Sequence, residues 1–120
     1  NIFTFSSGVA RWLPDGIGTS SAASRQEAKT WIQRLGAAGG TNLYDSVRQA
    51  FGDKDVDTIF ILSDGEPTTG EVIDPFLIRQ DVARWNKHRK IKINTIAIGG
   101  NLEVLEWLAK DAGGTYRQMR

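Results

Sequence analysis

The chain has 120 residues, of which 40% are hydrophobic and 24% charged, with a formal net charge of +1 and no cysteine. This composition is typical of one soluble globular domain, and it excludes disulfides, thiol nucleophiles and cysteine-based metal centres. We expect no nucleic-acid partner and no membrane insertion, because the net charge is near zero, no apolar run could span a bilayer and the N-terminus lacks signal-peptide features.

The first residues predict a β-hairpin. Asn1–Ser6 is rich in β-branched and aromatic residues, Ser7-Gly8 forms a turn, and Val9–Trp12 follows as a second short strand. Because the sequence enters a strand at once and its only methionine is Met119, we infer that the chain begins within a fold.

Two helices are predicted next. Ser24 begins a stretch with capping-box spacing, and its helix carries an apolar stripe at i, i+3, i+4 and i+7, formed by Ala28, Trp31, Ile32 and Leu35. The glycines of "GAAGG" end this helix. A second apolar stripe runs from Leu43 to Phe51, so Thr41 is predicted to lie at a helix N-terminus.

The remaining elements alternate between strand and helix. Val56–Leu62 is a short apolar run that predicts a strand covered on both faces. A helix that opens at Asp74-Pro75, a strand at Ile91–Ile98, a helix at Leu102–Ala112 and a terminal strand in "TYRQM" follow it. Short connections between alternating elements predict an α/β fold with a parallel sheet flanked by helices, in a single domain 1–120.

Thr41 and Asp64 are the candidate site residues. Asp64 directly follows a predicted strand, and ligands of open α/β sheets bind beyond the carboxyl ends of the strands. A hydroxyl and a carboxylate are hard oxygen donors of the kind that Mg²⁺, Mn²⁺ or Ca²⁺ prefers. Two structural alternatives stay open, since Thr before a helix is commonly an N-cap and Asp before Gly is commonly a turn residue.

The sequence resembles the von Willebrand factor type A (vWA) family. The resemblance is carried by "GGTNLYDSV" and by "TIFILSDGEPTTGE" some twenty residues later, and "NIFTFSSGV", "INTIAIGG" and "LEWLAKDAGGTY" extend it over the whole chain. It implies a Rossmann-like three-layer α/β/α fold with a mostly parallel central sheet. It also implies a non-catalytic protein interaction module, as in cell adhesion.

In that family a metal-ion-dependent adhesion site (MIDAS) is built from three loops. The resemblance implies that Thr41 is the second-loop threonine and Asp64 the third-loop aspartate. Asn42, Gly65, Glu66 and Thr68 lie next to these two residues in the sequence and are candidate ligand contacts, with plain solvated loop residues as the alternative. The first-loop motif, Asp-x-Ser-x-Ser, does not occur in this sequence. We therefore expect an incomplete site that binds Mg²⁺, Mn²⁺ or Ca²⁺ weakly or not at all in the isolated chain, and that in a complete relative would bind an Asp or Glu of a partner.

The resemblance also implies that one inner strand is missing. The family's first strand lies between those that match Asn1–Ser6 and Val56–Leu62, so these two strands would either pair directly or leave a gap for a missing strand or another chain. Two alternative functions stay open. One is a metal-assisted hydrolase that uses Asp64 as metal ligand and Glu66 or Glu71 as base. The other is a truncated remnant without a ligand.

Three further features are interpreted structurally. The basic run Lys87–Lys90, with Lys92 beyond it, lies at a predicted helix end, where it would complement the helix dipole. His88 is the only histidine, so a zinc site is excluded, and its basic surroundings predict exposure. Core packing is expected for the tryptophans, except that Trp107 lies off the inner face of its helix and is expected to be exposed.

Overall fold

A computed structural model describes residues 1–36 and 39–120, and within these ranges the chain forms five strands and four helices. The strands are β1 (Phe3–Phe5), β2 (Val9–Arg11), β3 (Thr58–Ser63), β4 (Lys92–Ile98) and β5 (Tyr116–Met119). The helices are α1 (Ala22–Gln33), α2 (Leu43–Phe51), α3 (Pro75–Trp85) and α4 (Glu103–Asp111). Ala37 and Ala38, in the stretch predicted to end the first helix, lie outside the described residues.

The central feature is a parallel sheet with strand order β3-β4-β5. β4 lies between its neighbours, with Ile59 opposite Ile93 on one side and Ile96 opposite Arg117 on the other. Parallel strands need crossover connections, and α3 and α4 provide them here. The predicted α/β fold, with a parallel sheet flanked by helices, is confirmed.

One face of this sheet forms the core. Alternate residues of a strand point to the same face, and on this face Ile61, Ile93 and Ala97 form one apolar cluster with buried side chains of α2, α3 and α4. Among the largest fully buried side chains of residues 1–36 and 39–120, Thr95 is the one that is polar, and its hydroxyl donates to the carbonyl of Leu105 at 2.8 Å. The sheet and α4 are thereby joined by a satisfied buried polar contact.

The prediction that the first parallel strand is covered on both faces is wrong. Phe60 and Leu62 are 68% and 53% exposed, whereas Ile61 between them is buried. The described helices cover the Ile61 face, so the side chains that alternate with it are left in solvent. An unbroken apolar run identifies a strand, but it does not tell which elements cover each face.

The N-terminal strands form a separate two-stranded sheet. β1 pairs with β2 in antiparallel register, with Phe3 opposite Arg11, as the hairpin prediction requires. Two arrangements were expected, direct pairing of β1 with β3 or a gap between them. The two strands do not pair, so the structure has the gap. Between them lies a cavity of about 450 Å³ that is lined by both strands and by residues of α2, including Val47.

The prediction for α1 needs two corrections. Its N-cap is Ser21, which forms a reciprocal capping box with Ser24, so the helix begins earlier than predicted. Ile32 and Leu35 are 47% and 41% exposed, so the predicted buried stripe is wrong at these positions. The physical reason is that α1 has little contact with the other described elements, and only Ala28 is buried along it.

The later helices are close to their predicted bounds. Asp74 caps α3 through the backbone N–H of Phe76 at 2.8 Å, as expected. Leu102 precedes α4 rather than opening it. Of the helices in the part of the chain that the structure describes, none is long and apolar enough to cross a membrane.

Candidate functional site

Three chain segments meet beyond the carboxyl end of β3. They are the β1–β2 turn at Ser6–Gly8, residues 39–42 before α2, and the 64–70 loop after β3. Hydrogen bonds join them pairwise: the Asn42 side chain donates to the carbonyl of Ser7 at 3.3 Å, and the Thr69 hydroxyl donates to the carbonyl of Ser6 at 3.3 Å. The candidate site therefore has a defined backbone frame.

Thr41 is bound to the 64–70 loop through its backbone. Its N–H donates to the Thr68 hydroxyl at 2.7 Å, and its carbonyl accepts from the N–H groups of Thr68 and Thr69 at 2.9 and 3.2 Å. Among residues 1–36 and 39–120, the Thr41 hydroxyl itself makes no hydrogen bond. A Cβ placed on Gly65 would lie 3.6 Å from this hydroxyl oxygen, so Thr41 Oγ1 lies beside the residue that follows Asp64.

The N-cap of α2 is Asn42, not Thr41. Its Oδ1 accepts from the N–H of Asp45 at 3.2 Å, and its Nδ2 donates to the Asp45 carboxylate at 2.9 Å. The structural alternative for Thr41, a plain helix cap, is therefore excluded. Asn42 is buried, and its polar atoms are used within the protein. Its role as a ligand contact stays a prediction.

Asp64 lies one residue past β3, as predicted. Ser63 closes the turn around it, because its hydroxyl donates to the carbonyl of Gly65 at 3.1 Å and accepts from the Gly65 N–H at 3.3 Å. Asp64 is exposed, and its carboxylate makes no ion pair or hydrogen bond within the described ranges. This carboxylate is therefore free of internal partners in the described ranges and accessible to a ligand.

The donor set fits a hard cation only in part. The Thr41 hydroxyl and the Asp64 carboxylate are oxygen donors on adjoining segments, but Mg²⁺ takes six ligands in near-octahedral geometry and gives up its waters reluctantly. Within residues 1–36 and 39–120, no group of three or more His, Cys, Asp or Glu side chains is arranged to hold a metal. These residues offer part of a cation site rather than a complete one.

The acidic residues near the loop have different surroundings. Glu66 is exposed at the loop surface. Glu71 forms an ion pair with Arg48, which also contacts Asp45 at 3.1 Å. The hydrogen bond with Glu71 is the main cause that raises the pKa of Arg48. The guanidinium of Arg48, in the last turn of α2, thus links Asp45 in the first turn of the helix to Glu71, which directly follows the 64–70 loop.

Two residues of the frame were not predicted. Ser6 and Ser7 supply the carbonyls that hold Thr69 and Asn42. Their position is their one signal in the sequence: Ser6 and Ser7 directly follow the apolar strand β1, as Asp64 directly follows β3. Backbone acceptors carry no side-chain signature, so only the three-dimensional arrangement identifies them.

These features define a class of protein: an α/β domain with a loop site at the carboxyl end of a parallel strand. A family model described as von Willebrand factor type A domain matches residues 1–118, and the chain belongs to this family. Domains of the family are commonly interaction modules.

Curated relatives agree with this family. The chain is 28% identical to von Willebrand factor A domain-containing protein 3A of Homo sapiens, over 97% of this chain and 10% of the relative. It is 28% identical to inter-alpha-trypsin inhibitor heavy chain H4 of Homo sapiens, over 99% of this chain and 14% of the relative. The chain thus spans only about a tenth to a seventh of these relatives. Neither printed name describes an enzyme.

Proposed function

We propose that this domain is a non-catalytic protein interaction module that binds an Asp or Glu side chain of a partner protein through a divalent cation. Thr41 would supply a hydroxyl ligand and Asp64 a carboxylate ligand, directly or through water. Mg²⁺ is the expected cation, with Mn²⁺ or Ca²⁺ as substitutes. The cation would supply a positive charge with an open coordination position for the partner's carboxylate.

The observation that carries this proposal is the free pair of oxygen donors in a fixed frame. Thr41 Oγ1 and the Asp64 carboxylate make no internal hydrogen bond in the described ranges, and in their two segments only the exposed Glu66 shares this property. The backbone around them is held by the contacts of Thr41 with Thr68 and Thr69 and of Ser63 with Gly65. A site whose frame is ordered while its donors stay free suits ligand binding better than turn formation alone.

The gap between β1 and β3 supports a second part of the proposal. β3 is the edge strand of its sheet, and its outer edge faces the 450 Å³ cavity that β1 lines from the other side. Unpaired strand edges are templates for added strands. We propose that an extended segment, from the same longer polypeptide or from another chain, pairs there and brings the remaining cation ligands to the site.

The hydrolase alternative has less support. A metal-assisted hydrolase needs a general base within reach of the substrate. Glu71 is paired with Arg48, so Glu66 is the one acidic side chain of the loop left for that role besides Asp64. It is exposed on the surface of the loop, where nothing fixes its position. Binding without turnover is therefore the function that the geometry supports best.

The test is calorimetric titration of Mn²⁺ into two samples. We expect the 120-residue chain alone to bind with an affinity weaker than micromolar. The second sample contains a synthetic segment, an apolar strand followed by Asp-x-Ser-x-Ser and an amphipathic helix, joined to the N-terminus. Here binding should strengthen by about tenfold or more, because three further oxygen ligands are supplied.

Two variants of the joined chain separate the site from general charge effects. Asp64→Asn should abolish the gain in Mn²⁺ affinity, whereas Asp15→Asn, an exposed carboxylate in the loop after β2, should leave it unchanged. Micromolar Mn²⁺ binding by the chain alone would contradict the proposed incompleteness. Equal loss in both variants would contradict the assignment of Asp64, and turnover of a phosphoester that depends on Asp64 would favour the hydrolase.

A further inference from the structure

A second cleft lies between α3 and α4. Its volume is about 620 Å³. Its floor is formed by three buried apolar side chains: Val82 of α3, Ile91 just before β4, and Leu108 of α4. It lies at the opposite end of the sheet from Asp64, because Ile91 directly precedes β4, whereas Asp64 follows the last residue of β3. With about 3.3 Å per strand residue, the two sites are roughly 20 Å apart.

The rim of this cleft is strongly basic. Arg79, Arg84, Lys87 and Lys90 line it, against the single carboxylate of Asp111. Together with Asp81, which pairs with Arg84 beside the cleft, four cationic groups face two anionic ones, a net charge of +2, whereas the whole chain carries only +1. The positive charge of the protein is therefore concentrated here.

Two of the four cations have internal partners and two do not. Arg79 binds both oxygens of Asp111, at 2.7 and 2.9 Å, and Arg84 contacts Asp81 at 3.2 Å. Lys87 and Lys90 form no ion pair within residues 1–36 and 39–120. The unneutralised charge of the cleft is carried by these two lysines.

The loop that carries the lysines is held in place. The Asn86 side chain accepts from the N–H of Ile91 at 2.7 Å and donates to its carbonyl at 2.8 Å. Arg89 donates to the carbonyls of Phe51 and Asp53, at 2.6 and 2.8 Å. The predicted interaction of the basic run with a helix end is thus made by Arg89, and with the C-terminus of α2 rather than of its own helix.

Lys90 has an unusual backbone. Its φ is +57°, in the left-handed region that costs about 1 kcal/mol or more for a residue with a Cβ. Strained backbone of this kind concentrates at binding sites. Here the Asn86 clamp imposes the conformation, and it places a lysine without an ion-pair partner on the rim of the cleft.

We propose that the cleft between α3 and α4 binds an acidic segment of a partner protein, without a metal ion. Charge complementarity is the basis: Lys87 and Lys90 supply positive charge that no acidic side chain of the described residues neutralises, on a loop held by the hydrogen bonds of Asn86 and Arg89. An acidic segment would lie along the rim with its carboxylates at the two lysines. Arg79 and Arg84 would add attraction from groups already held by Asp111 and Asp81.

The chemistry of the cleft favours an acidic polypeptide over nucleic acid. No aromatic side chain lines the described cleft, so stacking platforms for bases are lacking there. Lysine ammonium groups act as point charges rather than as bidentate forks, which suits separate carboxylates along a peptide.

The experiment is a fluorescence anisotropy titration of the 120-residue protein with a labelled peptide of alternating Glu and Ser. The same peptide with Gln in place of Glu is the neutral control. We expect saturable binding of the Glu peptide, weakened by salt but unchanged by EDTA, since no cation takes part. The double variant Lys87→Glu/Lys90→Glu should weaken binding by about tenfold or more.

The matched variant is Arg25→Glu/Lys29→Glu, which makes the same change in net charge on the exposed surface of α1. It should change the affinity by less than about twofold, and circular dichroism checks that both variants are folded. The proposal would be overturned if both double variants weakened binding of the Glu peptide equally. It would also be overturned if the Gln peptide bound as tightly as the Glu peptide, or if binding of the Glu peptide did not saturate. Tighter binding of a single-stranded oligonucleotide than of the Glu peptide would overturn it in favour of nucleic acid. Loss of peptide binding in EDTA would assign the peptide to the Asp64 site instead.

Discussion

The two sides of this domain differ in how completely they bury their apolar residues. On the packed side, which consists of β4, the Ile61 face of β3, α2, α3 and α4, the side chains of Ile78, Ile93 and Leu105 are fully buried. On the open side, which consists of the β1–β2 hairpin, α1 and the Phe60 face of β3, apolar side chains such as Ile32 are about half exposed. The packed side thus has a buried hydrophobic core, whereas the apolar side chains of the open side remain partly exposed.

The difference shows where the free energy of folding resides. Burying apolar surface stabilises by about 25 cal/mol per Å² removed from water, so the packed side must supply most of the stability. The open side carries the unpaired strand edge and the cavity between β1 and β3. Stability and binding capacity are therefore expected to reside in different parts of the molecule.

Among single substitutions, the largest effect is expected for Ile93→Ala, a test of the packed side. Ile93 lies on the central strand at 0% exposure, and Ile→Ala in a core costs about 2–5 kcal/mol through lost burial and the cavity left behind. Ile32→Ala makes the same chemical change on the open side, where it should alter the free energy of unfolding by less than about 0.5 kcal/mol. Urea unfolding followed by circular dichroism measures both. Equal effects would mean that α1 is packed in solution as tightly as β4.

The next largest loss of stability is expected for Gly70→Ala, at the candidate site, where the packed and open sides meet. Gly70 has φ +110°, and a Cβ there would lie 2.2 Å from Asn42 Oδ1. Gly70→Ala should cost about 2–4 kcal/mol, because it strains the backbone and displaces the side chain that caps α2. Gly8→Ala, whose Cβ would meet nothing within 4 Å, should cost less than about 0.5 kcal/mol in the same unfolding experiment. A Gly70→Ala protein as stable as the parent would mean that the Asn42 cap is dispensable.

A smaller change in the free energy of unfolding is expected at high pH, where Tyr44 on the packed side ionises. Tyr44 is buried and donates to Asp81 at 2.8 Å; burial, and then this hydrogen bond, raise its pKa above the ordinary value of about 10. Because the folded state holds the phenol proton more tightly than the unfolded state, the resulting stability is fully present below about pH 10 and is lost as the pH rises through the folded-state pKa. The free energy of unfolding should fall more steeply above about pH 10 in the parent than in Tyr44→Phe. Identical slopes would contradict the raised pKa.

The packed side was largely predictable from the sequence, and the open side was not. The four-residue spacing of Ile78 and Val82 indicates one apolar helix face, and both residues are buried in α3. The apolar run Ile91–Ile98 predicts a strand, which the structure has at Lys92–Ile98. The stripe at Ile32 and Leu35 has the same periodicity, yet both residues are exposed. Periodicity states which face a helix would bury, but only the neighbouring elements decide whether that face is buried.

The site shows a similar division. The position of Asp64 just past a strand was predictable from an apolar run that ends in a turn. The engagement of Asn42 by Asp45 and Ser7, and the supporting role of Ser6, depend on contacts between segments that are distant in sequence. Side-chain type reveals a candidate ligand, but it does not reveal which polar atoms the fold has already used.

The smallest effect on stability is expected for substitutions on the exposed face of β3. They also test the difference between the packed and open sides most directly, because the two faces belong to one strand. Phe60→Ser/Leu62→Ser changes two large apolar residues that are already mostly exposed, so it should alter the free energy of unfolding by less than about 0.5 kcal/mol. Ile59→Ser/Ile61→Ser changes the alternate positions of the same strand, and it should unfold the domain, because Ile61 belongs to the core and a buried hydroxyl without a partner is costly. Urea unfolding at two protein concentrations compares the pairs.

If Phe60→Ser/Leu62→Ser costs more than about 1 kcal/mol, the Phe60 face is covered in solution, and a concentration-dependent loss would identify a second copy as the cover. A concentration-independent loss would instead mean that α1 or the hairpin packs on this face more closely than the structure has it.

A neutral result leaves a folded domain in which both the apolar Phe60 face and the outer edge of β3 are free. These are the two features that a strand donated to the cavity between β1 and β3 would need, because it would pair with the edge of β3 while the segment that follows it covers Phe60 and Leu62.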